Sequence, residues 1–302
     1  MITYNPKDWF TFIFRLHKTE TMIKLWPLLL GVGLYSAGWA YIETVLFKDY
    51  KSVAMASNIG IIYSILGFTL SLFLVFRTNT AYDRWWDGRK LWGELTNAIR
   101  NLSIHLNAIL PADDITRRRY YQTLLGMFPV SLRFHLQDRK IPAHFFTEIP
   151  SNHPAAPDLK EIKSARHQPQ TIAKLFVAAL KTDIKHGLLT DLEMEHFKAE
   201  INKLMDVCGG CERIKNTPIP FTYSVFIKKF IFLYVMIFPI VYSTQLYFLI
   251  APVTMFVLYV LASIELIAEE IENPFNGDDS DLPTEAMAKN INISTEELLL
   301  NR

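Results

Sequence analysis

Residues 59–76 read I-G-I-I-Y-S-I-L-G-F-T-L-S-L-F-L-V-F and are followed directly by R-T-N-T-A-Y-D-R-W-W. The 18 residues of the first stretch carry no charge. At about 1.5 Å per residue, a helix of this length spans roughly 27 Å, which is close to the hydrocarbon thickness of a bilayer. Arg77 ends the run abruptly, so the stretch is predicted to cross a membrane rather than to lie in a soluble core.

Periodicity does not show which face of this helix has a functional role. Phe68, Leu72 and Phe76 follow one another at every fourth position and form one row on a helix. Other rows are equally apolar, for example Leu66, Leu70 and Leu74. A helix that is apolar all round indicates a membrane or a deep core and no more.

The overall composition fits a membrane part joined to a polar part, because half of the 302 residues are hydrophobic and 20% are charged. The formal net charge of +1 gives no field that would favour nucleic acid as a partner. The first apolar run is long enough to span a membrane and is preceded by charged residues, so no cleavable signal is predicted.

Four regions follow one another along the chain. The first is an amphipathic N-terminal segment with two transmembrane helices, of which the earlier is expected at 25–42 and the later at 59–76. A cytosolic helical region, two further transmembrane helices and a cytosolic C-terminal tail come next. The boundaries of the four regions are 1–81, 82–220, 221–271 and 272–302.

The charged middle region has the periodicity of polar helices. The run that starts R-W-W at Arg84 keeps apolar residues at spacings of three and four, which predicts that the second span continues as a long amphipathic helix. Residues 141–169 hold five prolines and are predicted to be a loop. Two helices are expected near 170–187 and 190–214, with Thr190 or Asp191 as the cap of the second.

The last uncharged run, 230–264, is too long for one span. Pro239, the Ser-Thr-Gln cluster at 243–245 and Pro252 are expected to break it into two helices joined by a tight outer turn. The sequence therefore predicts an all-α membrane protein with four transmembrane helices per subunit.

The orientation follows from the basic residues. Only Lys48 and Lys51 lie on one predicted side of the membrane. The positive-inside rule therefore places both termini and the middle region in the cytoplasm. The basic residues near the span ends on the cytoplasmic side are Arg15, Lys18, Lys24, Arg77, Arg84, Arg89, Lys90, Lys228 and Lys229.

Enzyme and metal signatures are weak. Cys208 and Cys211 have the spacing of half a zinc site, but only one such pair exists, so packing of small residues between helices is the better interpretation. The acids at 265, 269, 270 and 272 lack the Glu-x-x-His pairs of a di-iron site. The eight histidines are scattered without a ligand spacing, and no nucleotide-binding or hydrolase motif occurs. We therefore expect no enzyme activity and no certain cofactor.

Three separated motifs carry a family resemblance. They are G-F-T-L-S-L-F-L-V-F-R-T-N-T-A-Y-D-R-W-W-D-G-R-K-L-W-G, then G-G-C-E-R-I-K-N-T-P-I-P-F, then E-E-I-E-N-P-F. In this order they resemble the bestrophin family, especially its bacterial and thylakoid branch. The resemblance extends from about residue 5 to about residue 290.

The resemblance implies a homopentameric ion channel in a bacterial inner membrane, with lipids, further copies of the chain and small inorganic ions as partners. In this family the second transmembrane helix lines a narrow apolar neck, which here corresponds to Phe68, Leu72 and Phe76. A second, cytosolic constriction corresponds to Leu192, with the acids Asp191 and Glu193 on either side of it.

The resemblance also indicates which ions pass through the channel. The family default is a monovalent anion such as chloride. A channel for sodium or potassium is the alternative, because two acids beside a constriction favour cations if they face the pore. A non-conducting scaffold or a transporter is the remaining alternative, although a transporter would be expected to carry charges at mid-membrane.

A calcium site is a further expectation. Animal bestrophins hold calcium in an acidic cluster after the N-P-F turn. Here Asn273 corresponds to a carbonyl donor, and Asp278 and Asp281 correspond to side-chain donors. A solvated acidic turn is the alternative, because the bacterial branch is generally not regarded as calcium-gated.

Overall fold

The structure is a computed structural model that describes residues 20–46, 53–147, 153–154, 156–278 and 280–300. Every element in this part of the chain is a helix, which confirms the predicted all-α fold. The amphipathic segment predicted at the N-terminus falls almost wholly outside the described residues, as do Lys48 and Lys51.

Ten α-helices and one 3₁₀ turn make up the described residues. The 3₁₀ turn covers Tyr247–Leu249. In chain order the helices are α1 (Glu20–Leu46), α2 (Val53–Ile109), α3 (Ile115–Leu136), α4 (His144–Thr147), α5 (Ala156–Ser164), α6 (Gln168–Lys185), α7 (Asp191–Asn216), α8 (Phe221–Leu246), α9 (Ile250–Glu272) and α10 (Thr284–Leu300).

These helices form two compact units. Among the described residues, the apolar unit comprises 20–46, 53–83 and 218–272, and the polar unit comprises 84–217 and 273–300. The helix α2 is continuous over 57 residues and contributes to both units. The predicted continuation of the second span as one long helix is therefore present.

Three described stretches are long and apolar enough to cross a membrane, and they are Leu25–Val45, Ile59–Ile109 and Phe221–Glu272. The third contains both α8 and α9, which the 3₁₀ turn separates. At the start of this turn Tyr247 has a positive φ of 48°. The chain thus has the apolar helices of a membrane protein.

The prediction that Pro239 breaks the last apolar run is wrong, because Pro239 lies inside α8. Proline removes one backbone donor, and membrane helices tolerate this loss where neighbouring groups satisfy the freed carbonyls. The carbonyl that Pro239 frees is that of Val235, and the carbonyls on either side of it, of Tyr234 and Met236, accept from the hydroxyl groups of Tyr63 and Tyr35. The break occurs instead at residues 247–249.

The apolar unit packs α1 against α8 and α9. Its core also takes in one face of α2, at Leu70 and Leu74. Two glycines permit close approach, since a Cβ at Gly67 would lie 2.5 Å from Tyr234 Oη and one at Gly33 would lie 2.7 Å from Met255 Sδ.

The polar unit is built around the second part of α2, where Trp92, Leu95 and Leu102 are fully buried. The prediction that 141–169 is a loop is wrong in part, because this segment contains the four-residue helix α4 and the nine-residue helix α5. The C-terminal tail, for which no secondary structure was predicted, forms α10, which packs against α3. Pro157 lies in the first turn of α5, where a helix tolerates proline, so the five prolines of 141–169 do not exclude a helix there.

Glycines from two of the three motifs lie at close contacts within the polar unit. A Cβ at Gly210 would lie 2.9 Å from Leu91 Cδ2, and one at Gly88 would lie 3.1 Å from Pro274 and Phe275. The G-G-C and N-P-F motifs therefore both contact the helix segment that follows R-W-W. Small residues at these positions allow that packing.

Arg84 on α2 also contacts the end of α7 within the polar unit. The Arg84 guanidinium donates to the carbonyl oxygens of Ile214 and Thr217 at the end of α7, with 2.7 Å between Nη1 and the Thr217 oxygen.

Cys208 and Cys211 are fully buried on α7. Burial raises the pKa of the Cys208 thiol to about 12 and also raises the pKa of Cys211. Both cysteines therefore act as packing residues, as predicted.

Gly210→Val should lower the free energy of unfolding by about 1–3 kcal/mol, because the added methyl groups overpack the contact with Leu91. The neighbouring Gly209→Val is the matched control, since a Cβ at Gly209 has no atom within 4 Å. Thermal unfolding of the two purified variants in the same detergent measures the difference. Equal melting temperatures would contradict the proposed packing role of Gly210.

Candidate pore helix and the residues that position it

The predicted neck residues lie on the face of α2 that the chain itself leaves uncovered. Phe68 is 67% exposed, Leu72 42% and Phe76 61%. Further exposed apolar side chains of the span include Ile61, Ile62, Ile65 and Val75. A largely apolar surface is thus available to lipid, to further copies of the chain or to a pore.

The opposite face of α2 is buried within the apolar unit. Leu70 is 1% exposed and Leu74 is 3% exposed, while the equally apolar row beside them stays uncovered. Because a helix turns about 100° per residue, Leu72 lies about 200° from Leu70 and points away from the core. The structure thus distinguishes a buried face of α2 from an exposed face, which periodicity alone could not do.

The serine and threonine hydroxyl groups of the predicted span are satisfied locally. Ser64, Thr69 and Ser71 each donate to the backbone carbonyl four residues earlier, at 2.9 Å. Such bonds allow a hydroxyl to sit in hydrocarbon, where an unpaired donor would be costly. These polar side chains therefore remain compatible with a membrane span.

Arg77, directly after the neck row, is buried in the apolar unit with 1% exposure. Its Nη2 lies 2.7 Å from Glu272 Oε2, and its Nε lies 3.5 Å from Glu265 Oε1. The other oxygen of Glu272 accepts the backbone N–H of Ile219 at 2.6 Å. One ionic network thus joins α2, α9 and the residues just before α8.

The ion pairs of Arg77 were not predicted from the sequence, although the spacing of the acids on α9 indicated them. The acids at the end of α9 were considered only as metal ligands. Glu265 and Glu272 are seven residues apart, which places them two turns apart on one helix face. A basic residue at the end of an uncharged span is the natural partner for such a pair. Glu269, which lies between them, instead pairs with Lys228 at 2.7 Å.

The predicted second constriction lies at the start of α7 in the polar unit. Leu192 is 75% exposed and Asp191 is exposed. Thr190 is the N-cap residue, and its backbone N–H and hydroxyl both donate to Glu193 Oε2, at 2.7 and 2.9 Å. These bonds hold the pKa of Glu193 below its ordinary value, so Glu193 is a charged capping residue as well as a candidate pore acid.

The predicted calcium residues lie in the turn between α9 and α10. Asp281 is 2% exposed, and its Oδ2 accepts the N–H groups of Gly277 and Asp278 at 2.6 and 3.0 Å. Asp278 is exposed, and the Asn273 side chain donates to Asn276. Asp281 therefore stabilises its own turn, which accounts for one of its oxygens without an ion. Calcium binding here stays a prediction.

These features define a class of protein: an all-helical membrane protein with an uncharged span that buries one face and exposes a row of large apolar side chains. The chain belongs to the bestrophin family, because the family model for bacterial and fungal bestrophin proteins matches residues 1–297. The resemblance inferred from the three motifs is confirmed.

Relatives and solved structures agree with this assignment. The voltage-dependent anion channel-forming protein of Synechocystis sp. is 30% identical over 89% of this chain and 83% of its own length. The voltage-dependent anion channel-forming protein YneE of Escherichia coli K12 is 30% identical over 76% of this chain and 74% of its own length. A crystal structure of a bacterial bestrophin homolog from Klebsiella pneumoniae has a TM-score of 0.77 and 28% identity, and it covers 91% of this chain and 98% of that one. Family and relatives together point to a channel rather than an enzyme.

Arg77→Met should destabilise the protein by about 3–5 kcal/mol, because it leaves the buried Glu265 and Glu272 without a counter-charge. The control is Lys228→Met, which removes a half-exposed ion pair with Glu269 and should cost about 0–1 kcal/mol. Thermal unfolding of both variants in detergent measures the difference. If both variants lose the same stability, the Arg77 network is not an anchor.

Proposed function

We propose that this chain is the subunit of a bestrophin-type ion channel that passes monovalent anions, chloride foremost, through a central pore. Five copies would surround the pore, each contributing the first part of α2. Each copy would cross a bacterial inner membrane four times, through α1, α2, α8 and α9, with both termini in the cytoplasm. Phe68, Leu72 and Phe76 would form three stacked apolar rings.

The observation that carries this proposal is the uncovered face of α2. The neck row is more than 40% exposed at each position, whereas Leu70 and Leu74 on the other side are buried. A ring of such side chains offers nothing that replaces the hydration shell of an ion, so a narrow ring stops ions by dewetting until it widens. Phe rings present a positive edge to an anion. The relatives named as anion channel-forming proteins support anions as the permeant ions.

A cation channel of the same fold is the second candidate. It is favoured by the exposed Asp191 and the ionised Glu193 beside the exposed Leu192. If the start of α7 lines the ion path, five copies of these acids would repel anions. A non-conducting scaffold or a transporter is a third outcome of the same measurements.

The permeant ion follows from the reversal potential of purified protein in planar bilayers under a potassium chloride gradient. We expect a reversal potential near the chloride equilibrium value. A value near the potassium equilibrium potential would replace the anion proposal with the cation proposal, and absence of current would favour a scaffold or a transporter.

Variants at the start of α7 extend this test. Asp191→Asn and Glu193→Gln remove charge, and the glutamine side chain introduced by the second variant keeps the capping interaction with Thr190. A shift of the reversal potential toward the chloride equilibrium potential in both variants would support a place for both acids on the ion path. Leu192→Ala should loosen size selection among permeant ions if Leu192 forms a constriction. Unchanged permeability ratios in all three variants would remove the start of α7 from the pore.

Widening the proposed neck should raise single-channel conductance or open probability. Phe68→Ala, Leu72→Ala and Phe76→Ala each remove bulk from an apolar ring and so lower the cost of wetting it. Leu34→Ala is the matched control, because Leu34 is 76% exposed on α1, a helix outside the proposed pore. Currents that respond to Leu34→Ala as strongly as to the neck variants would count against these rings.

Calcium binding at Asn273, Asp278 and Asp281 is a separate hypothesis, and it is tested by calorimetric titration of the purified protein with calcium. The decisive variant is Asp278→Asn, since Asp278 is exposed whereas Asp281 also stabilises its turn. Loss of the binding heat in this variant would support a clasp. No heat up to millimolar calcium, or heat that Asp278→Asn leaves unchanged, would leave a structural acidic turn.

A further inference from the structure

Two histidines and one glutamate meet on the polar unit, away from the residues discussed above. His135 Nε2 lies 2.6 Å from Glu212 Oε1, and His167 Nε2 lies 2.9 Å from the same oxygen. The two imidazole rings lie 4.3 Å apart between centroids. Three potential ligand atoms from distant parts of the sequence therefore converge on one point, all within 4.8 Å of one another.

Each side chain comes from a different helix. His135 is in the last turn of α3, His167 is the N-cap residue of α6, and Glu212 lies on α7 within the G-G-C-E-R-I motif. The three side chains are 26–30% exposed. The cluster is thus held by packed helices and remains open to solvent on one side, so that an ion and a water molecule have access.

The hydrogen bonds define the protonation state of the metal-free cluster. His167 Nδ1 accepts the backbone N–H of Gln170, so the ring proton of neutral His167 sits on Nε2 and points at Glu212. Burial opposes ionisation of Glu212, but hydrogen bonds from His135 and His167 outweigh it and lower the pKa of this carboxyl. The centre of the cluster is therefore a carboxylate oxygen that accepts two N–H donors.

We propose that His135, His167 and Glu212 form a binding site for a divalent transition metal ion, with Zn²⁺ as the representative ion. Two imidazole nitrogens and one carboxylate match the His₂Glu ligand set of zinc sites that keep a fourth position for water. Imidazole ligands select zinc-like ions over Ca²⁺ and Mg²⁺, which prefer oxygen. Among the described residues this is the one group of three or more metal-type ligands that converges in this way.

Binding to the neutral rings requires a change of tautomer. The ion takes the place of the two Nε2 protons, and each neutral imidazole carries its proton on Nδ1 instead. For His167 this change ends the bond from the Gln170 N–H, which is at an exposed helix start where water replaces it. The loss of this one hydrogen bond is a cost of binding the ion.

The ion would fasten three helices of the polar unit to one another. Glu212 is close in sequence to Ile214 and Thr217, whose carbonyls accept from Arg84 on α2. Metal binding would therefore stabilise α7 beside its contact with α2. This role is independent of the proposed pore, so the site can be tested whatever ion the channel passes.

Calorimetric titration of the chelator-treated full chain in detergent with zinc chloride tests the site. We expect one Zn²⁺ per chain, and a loss of affinity of at least about tenfold in His135→Gln, His167→Gln and Glu212→Gln, since altering even an outer-shell group of a metal site costs this much. His196→Gln is the matched control and should bind like the parent, because His196 is an exposed histidine outside the cluster. Absence of binding by the parent, or unchanged affinity in all three variants, would overturn the proposal.

Cobalt supplies a readout that does not depend on losing a ligand. Co²⁺ bound by nitrogen and oxygen shows d–d bands without an intense sulfur charge-transfer band. In His135→Cys the same ion should gain that band, because a thiolate then enters the coordination sphere. A sulfur band already present in the parent would locate the ion at Cys208 or Cys211 instead, and no band in His135→Cys would exclude residue 135 as a ligand. Either result would overturn the site.

Discussion

A buried arginine organises the apolar unit. Arg77 cannot remain in an apolar interior without counter-charges, since an unpaired buried charge costs several kcal/mol. It therefore brings α2 to the face of α9 that carries Glu265 and Glu272, while Glu272 also binds the backbone just before α8. A single cation thus draws three segments of the membrane part together.

The same arginine resolves a rotational ambiguity. A helix that is apolar on all sides has no preferred orientation from hydrophobicity alone, and inside a bilayer lipid covers any face equally well. Over residues 59–83, the buried residues of α2 are spaced by seven, four, three and four positions, so they share one stripe with Arg77. They are Tyr63, Leu70, Leu74, Arg77 and Ala81. Once that stripe faces the protein, Phe68, Leu72 and Phe76 must face away from it.

The sequence alone was sufficient for the features that depend on local patterns. An uncharged run predicted the span at 59–76, the cap of α7 was narrowed to Thr190 or Asp191, and three motifs identified the family. Features that depend on pairing across the chain were not accessible. The partners of Arg77 lie almost 200 residues away, and His135, His167 and Glu212 carry no common spacing. Pro239 does not break α8, a helix that packs against α1 and α9, and no local pattern shows that tertiary packing.

The uncovered row on α2 has a thermodynamic consequence for gating. In the proposed pore, water must wet the rings of Phe68, Leu72 and Phe76 before an ion can pass. Hydrating apolar surface raises the heat capacity, so the free energy of opening depends on temperature along a curve with a maximum. Opening then becomes easier on both warming and cooling away from that maximum. A gate formed only by apolar side chains would therefore change its open probability with temperature, without any dedicated sensing domain.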